Sequence, residues 1–185
     1  MPTLDEDREA ILEVHKNWWE ANHGLDIPLM ESCYPRGMAY LMFNLNGHPY
    51  FGIEEKVALW EHYRKELDIV EFPDIEIMRI EISGDMAWVG SEGIFPIAVI
   101  GDQGTGASAI PVGSEPNYFP GRATEVYQRD DGEGNPVWKM WHFHFSVLPP
   151  ADEERPGLGG TREGRGLGGG PGITPLRVTR VGTRD

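Results

Sequence analysis

Pro136-Val137-Trp138-Lys139-Met140-Trp141-His142-Phe143-His144-Phe145-Ser146-Val147 follows Asp130-Asp131-Gly132-Glu133-Gly134-Asn135, a cluster of turn-forming residues. Aromatic side chains dominate it, so it reads as a strand. Successive strand residues face opposite ways. Trp138, Met140, His142, His144 and Ser146 are therefore expected on one face, and Lys139, Trp141, Phe143, Phe145 and Val147 on the other. The first face mixes bulky apolar groups with two imidazoles and a hydroxyl, as small-molecule pockets do. The second is expected to pack on another sheet, a second subunit or the C-terminal tail.

Working outward, Arg122 to Arg129 reads as the preceding strand. Residues 74–83 and 86–99 read as two more, joined by a tight Gly84-Asp85 turn. At the other end, Thr3 and Glu6 have capping-box spacing before a helix to about Asn22, with Leu4, Ile11, Val14, Trp18 and Ala21 as its buried stripe. Asp26 and Pro28 start a short second helix that runs to about Tyr34. Gly37 to Asn46 reads as a strand with Met38, Tyr40, Met42 and Asn44 on one face. Gly52 to about Leu67 is a third helix whose apolar face holds Ile53, Val57, Trp60, Arg64 and Leu67. Residues 100–119, rich in Gly, Ser and Pro, read as a long loop. The order predicts an α+β domain with helices on one face of an antiparallel sheet.

After Pro149-Pro150 the composition changes. Residues 151–185 hold 10 of the 24 glycines and few large apolar side chains, too few to build a core. The expected organisation is a domain over 1–149 and a tail over 150–185, with 173–179 able to add an edge strand. The net charge of -14 argues against nucleic acid and anionic membrane as partners. No apolar run reaches membrane-spanning length, and the acidic N-terminus lacks signal-peptide features. Cys33 is the only cysteine, which excludes an intrachain disulfide and leads to the expectation of a cytoplasmic protein.

Element order, together with Gly121-Arg122-Ala123-Thr124-Glu125-Val126, Asp131-Gly132, Trp138-Lys139-Met140 and His142-Phe143-His144-Phe145-Ser146, resembles the NTF2-like superfamily. The likeness is to its SnoaL-like and ketosteroid-isomerase-like members and covers about residues 5 to 148. Gly52-Ile53-Glu54-Glu55 is similar to the glycine opening that family's third helix. The resemblance implies a cystatin-like cone, in which a strongly curved antiparallel sheet wraps around the N-terminal helix and leaves a pocket at the open end. It also implies isomerase, dehydratase, cyclase, hydrolase or lyase chemistry, mostly without metal or organic cofactor, or ligand binding or assembly alone. Fold alone does not choose among these.

Several residues suit such a pocket. Arg122 would stabilise an enolate or carboxylate, or pair with Glu92 or Asp26 as a structural ion pair. His142 and His144 are the acid–base candidates because imidazole titrates near neutrality. His-x-His can also ligate metal, but no third ligand is evident, so no metal is expected. Glu92, between apolar neighbours, would have a raised pKa and act as acid or base, or partner Arg122. Asp26 is either a helix cap or a pocket carboxylate. Tyr40, Asn44 and Tyr34 offer hydrogen-bonding groups, with ordinary core as the alternative. Trp88 is one of six tryptophans that would stack on a flat ligand if they lined the cone.

The expected function is a cofactor-independent lyase, dehydratase or isomerase. It would move a proton on a small hydrophobic molecule, aromatic or polycyclic, with Arg122, His142, His144 and Glu92 as catalytic groups. The alternatives are a ligand-binding protein with the same pocket, or an oligomerisation module. A homodimer or other homo-oligomer is expected, formed through Trp141, Phe143 and Phe145 on the outer sheet face.

Overall fold

The computed structural model describes residues 2–69, 71–99, 113–148, 157 and 176–178. Its first helix, α1 (Leu4–Gly24), carries the capping box read from the sequence: the Glu6 amide donates to Thr3 Oγ1 and the Thr3 amide to Glu6. α2 (Ile27–Ser32) is capped by Asp26, whose Oδ1 accepts from the Leu29 amide at 3.1 Å. A hairpin of β1 (Leu41–Phe43) and β2 (Pro49–Phe51) precedes α3 (Gly52–Glu66). β1 is shorter than the expected 37–46, because beyond Phe43 the chain turns back, with the Asn44 amide bonded to the His48 carbonyl. Then come β3 (Leu67–Ile69), β4 (Asp74–Ser83), β5 (Met86–Val99), β6 (Gly113–Arg129), β7 (Trp138–Val147) and β8 (Leu176–Val178). β6 opens at Gly113, inside the stretch expected to be loop; residues 100–112 lie outside the described ones.

The sheet order is β2-β1-β7-β6-β5-β4-β8, with β3 on β5. All pairs are antiparallel except β1 with β7. Part of the expected tail thus joins the sheet, through β8 on β4. The expectation that residues 151–165 contact little concerns a stretch outside the described residues except for Gly157.

One irregularity decides which side chains meet the core. Tyr127 pairs with Met140, but Val126 pairs with His142, so Trp141 is an extra residue bulged out of the β6–β7 ladder. The alternation changes phase there. Trp138 and Met140 point inward before the bulge, and Phe143 and Phe145 after it; all four are buried. The expected outer aromatic face of Trp141, Phe143 and Phe145 is therefore corrected: two of its three members are core. A second bulge, at Met78, interrupts β4–β5. Bulges bend the bulged strand and increase local twist, as a sheet that wraps a helix requires.

α1 fills the concave side. Its Trp18 stacks on Phe143 with centroids 4.4 Å apart, and Trp19 meets Phe95 at 5.3 Å. Gly121 leaves room for this packing: a Cβ there would lie 2.8 Å from the Phe145 ring and 2.9 Å from Phe95. At the start of the helix, Asp7 accepts from Arg129 at 2.5 Å and from Trp138 Nε1 at 3.0 Å, tying α1 to β6 and β7. Asp7 is buried, and Arg129 lies over the Trp138 ring with the exposed Asp85 as its other carboxylate. Removing Arg129 therefore strands the Asp7 charge in a poorly hydrated site, and removing Asp7 leaves Arg129 only the exposed partner. Asp7→Ala is expected to cost about 2–3 kcal/mol in urea unfolding. Arg129→Ala should cost a similar amount, with the double variant well below additivity. Additive losses would show that the two residues act separately.

Candidate functional site

The phase change at Trp141 relocates the expected catalytic set. Arg122 is opposite Ser146 and Glu92, Thr124 opposite His144, and Val126 opposite His142. These residues share a face as expected, but it is the convex one. Arg122 and His144 are exposed, and Glu92 and His142 half-buried. Partial burial is the main cause holding the His142 imidazole below its usual range, and His144 adds to it. Arg122, His142, His144 and Glu92 therefore do not meet in a cavity, which corrects that expectation. Trp88, 39% exposed, lies on the same convex face beneath the Arg79 guanidinium, away from the cone's interior. Asp26 is a helix cap at the surface, not a pocket carboxylate. Among the described residues no group of three or more His, Cys, Asp or Glu side chains could hold a metal ion.

Inside the cone the arrangement is different. A cavity of about 60 Å³ is walled by Trp18 and Trp19 of α1, Trp60 of α3, Phe95 of β5, and Phe143 and Phe145 of β7. Its polar groups are few: Asn22, Asn44, Tyr63 and Lys56. Asn44 was expected here and is here, with its amide donating to the Tyr63 hydroxyl at 2.7 Å. Burial is the main reason the Tyr63 pKa rises to about 12, so the phenol stays protonated.

Lys56 is the residue that sequence reasoning missed. It is 1% exposed, and its Nζ donates to Met42 Sδ at 3.0 Å. The same atom lies 5.2 Å from the Trp60 ring centroid and 5.6 Å from that of Trp18. No ion pair to Lys56 exists among the described residues. Burial without a carboxylate lowers its pKa from 10.5 to about 7. The buried stripe of α3 runs Gly52, Lys56, Leu59, Trp60, at helical spacing. The signal was legible: Lys56 lies four residues before Trp60 and four after the glycine that opens the helix. Ile53 and Val57, expected to be core, are only half-buried.

Deeper in the cone, His15 Nδ1 is 2.7 Å from Glu125 Oε2, and the Tyr127 hydroxyl donates to the same oxygen. Both His15 and Glu125 are fully buried, and neither lines the cavity. Tyr34 and Tyr40 sit nearby as core: the Tyr40 hydroxyl donates to Tyr34 at 3.3 Å, and Trp18 Nε1 donates to Tyr34. Trp18 thus forms cavity wall on one side and anchors this polar cluster on the other. Tyr34 and Tyr40 were expected to touch ligand; they support the wall instead, and burial pushes both phenols well above their usual pKa.

The Lys56 environment makes stability depend on pH in a definite direction. A lysine whose folded pKa is about 7 and whose unfolded pKa is near 10.5 binds fewer protons when folded. Folding stability must then rise with pH between those values. Wild-type protein is expected to gain roughly 2–3 kcal/mol from this residue between pH 6 and pH 9, measured by urea unfolding. Lys56→Met should be more stable than wild type at pH 6 and lack that rise. A variant with an unchanged pH profile would refute the assignment.

The geometry matches proteins of known structure. An NTF2-like superfamily protein from Salmonella enterica Typhimurium superposes with a TM-score of 0.61 over 85% of this chain and 99% of its own, at 14% identity. A ketosteroid isomerase-like protein from Erwinia carotovora atroseptica gives 0.59 over 77% and 96%, also at 14% identity. A candidate dehydratase of the NTF2-like family from Streptomyces avermitilis gives 0.56 over 80% and 100%, at 18% identity. At such identities the likeness establishes the fold alone. No curated protein matches this chain. The SnoaL-like domain model matches residues 11–150, most of the chain and all of the cone's main strands, and this protein therefore belongs to the SnoaL-like family of the NTF2-like fold.

Proposed function

We propose that the cone is the reaction chamber of a cofactor-independent lyase, dehydratase or isomerase. Lys56 moves the proton and Tyr63 donates a hydrogen bond to the oxygen that gains charge. The observation that carries this reading is the Lys56 amine, buried among Trp18, Trp60 and Met42 with no carboxylate partner among the described residues. Burying an ammonium costs free energy that a leucine or methionine at this position would not. An amine with a pKa of about 7 is matched to accepting and returning protons near neutral pH. The isomerase-like and dehydratase-like relatives lend the reaction class support by fold analogy only.

The cavity also narrows the substrate. The volume of about 60 Å³ is small, which suits a small hydrophobic carbonyl compound better than fused rings. The test is deuterium exchange by NMR, with a panel of small ketones and enones in deuterated buffer. Exchange beside the carbonyl should be accelerated, rise as pH passes 7, and fall by at least about 100-fold in Lys56→Met. Exchange unaffected by that substitution would overturn the role of Lys56. Saturable binding with no exchange would favour the ligand-binding reading.

A second proposal concerns assembly. The convex face exposes Phe43, Met86 and Trp88, and Phe43 packs edge-on against His142 and His144. We propose that a second copy of the chain covers this patch, in a location consistent with a reduced, buried Cys33 such as the cytoplasm. Trp88→Glu should shift sedimentation at micromolar concentration toward monomer. Sedimentation already monomeric in the wild type would refute the dimer.

A further inference from the structure

We infer that Lys56 is a covalent capture site for small, unhindered aliphatic aldehydes, which it binds as an imine in the cone. The inference rests on the reading of the cone as a reaction chamber and names its substrate class. Three observations support it. The Nζ atom faces aromatic walls and a thioether, and among the described residues no acid pairs with it. The low pKa imposed by burial leaves about half the amine neutral, and so nucleophilic, at pH 7. An ordinary solvated lysine is almost wholly protonated there. Finally, Tyr63 lies seven residues along the same face of α3 and lines the same cavity.

The Tyr63 hydroxyl accepts from Asn44 Nδ2 at 2.7 Å, so its own proton is directed elsewhere and can serve a carbonyl oxygen. The amine lone pair adds to the aldehyde carbon, giving a carbinolamine once one N–H proton has moved to oxygen. Loss of the hydroxyl as water, taking the second N–H proton, leaves a neutral C=N bond between Nζ and the former carbonyl carbon. No electrons are transferred to or from an outside partner, and hydrolysis returns both reactants. The volume of about 60 Å³ limits the aldehyde to a short chain, and the aromatic lining favours an apolar one.

The chain provides its own controls, since its lysines are Lys16, Lys56, Lys65 and Lys139. The full-length protein is incubated at pH 7 with butanal and cyanoborohydride, which reduces an imine to a stable amine, and chymotryptic peptides are mapped by mass. Lys56 should gain the mass of butanal less one oxygen, at an initial rate at least about tenfold that of exposed Lys65. A naphthaldehyde should label Lys65 and spare Lys56. Lys56→Arg, checked for folding by circular dichroism, should lose the fast phase and keep the slow labelling elsewhere. Equal or slower labelling of Lys56 by butanal, or labelling of Lys56 by naphthaldehyde as fast as by butanal, overturns the inference. The two readings separate cleanly. Labelled Lys56 without Lys56-dependent deuterium exchange keeps the imine and removes the proton-transfer reading. Unlabelled Lys56 with exchange intact removes the imine alone.

Discussion

One extra residue in one strand determines what this cone contains. Without the bulge at Trp141, the β6–β7 ladder would keep a single alternation from Trp138 to Val147, and the same face carrying Trp138 and Met140 would carry His142 and His144. With it, Phe143 and Phe145 take the inward positions, Phe143 stacking on Trp18 and Phe145 meeting Phe95 edge-on. The energetics favour this arrangement decisively. Two buried phenylalanines contribute several kcal/mol of hydrophobic stabilisation, whereas two buried imidazoles would each need partners to offset their desolvation. The bulge lets β7 place Trp138, Met140, Phe143 and Phe145 all inward while still bending around α1.

Much of the architecture was legible in the residues. The Thr3–Glu6 capping box, the Asp26 cap, the Gly84-Asp85 turn and the four antiparallel strands ending in β7 occur where local chemistry places them, except that β6 begins earlier, at Gly113. The cone's interior was not, and the reason is parity. A period of two applied across Met140-Trp141 misplaces every residue beyond it. The clue was present, because apolar residues sit at 138 and 140 and then at 143 and 145, with Met140 and Trp141 adjacent at the switch. Asn44 was placed correctly because β1 carries no such interruption before it. Lys56 escaped notice for a different reason. Lysine on an amphipathic helix normally marks the solvent side, and only the tertiary packing of α3 against Trp18 reverses that.

The cone holds two polar features of opposite character. His15 and Tyr127 both bond Glu125 Oε2 at full burial, which specifies how α1 sits against β6, while His15 Nε2 and Glu125 Oε1 find no partner among the described residues. Lys56 is surrounded by sulfur and π faces, which attract a cation weakly and leave a neutral amine unencumbered. Trp18 faces Lys56 with its ring and donates its indole N–H to Tyr34. A substitution there would disturb cavity shape and polar network together.

The parallel pairing of β1 with β7 carries a consequence for how the chain reaches this state. β1 ends at Phe43, and its partner strand does not begin until Trp138. Asp7 likewise waits for Arg129 and Trp138, and His15 for Glu125. The N-terminal half thus has few native partners until nearly the whole domain has been synthesised. Its tryptophan-rich helix can meet only Tyr34 and Trp60 early and must wait for its strand partners through most of that time. Loop-closure entropy is spent before these distant contacts repay it, which places the domain among slow, high-contact-order folders. The hairpins of β4 to β7 are the part whose partners lie close enough in the chain to meet early.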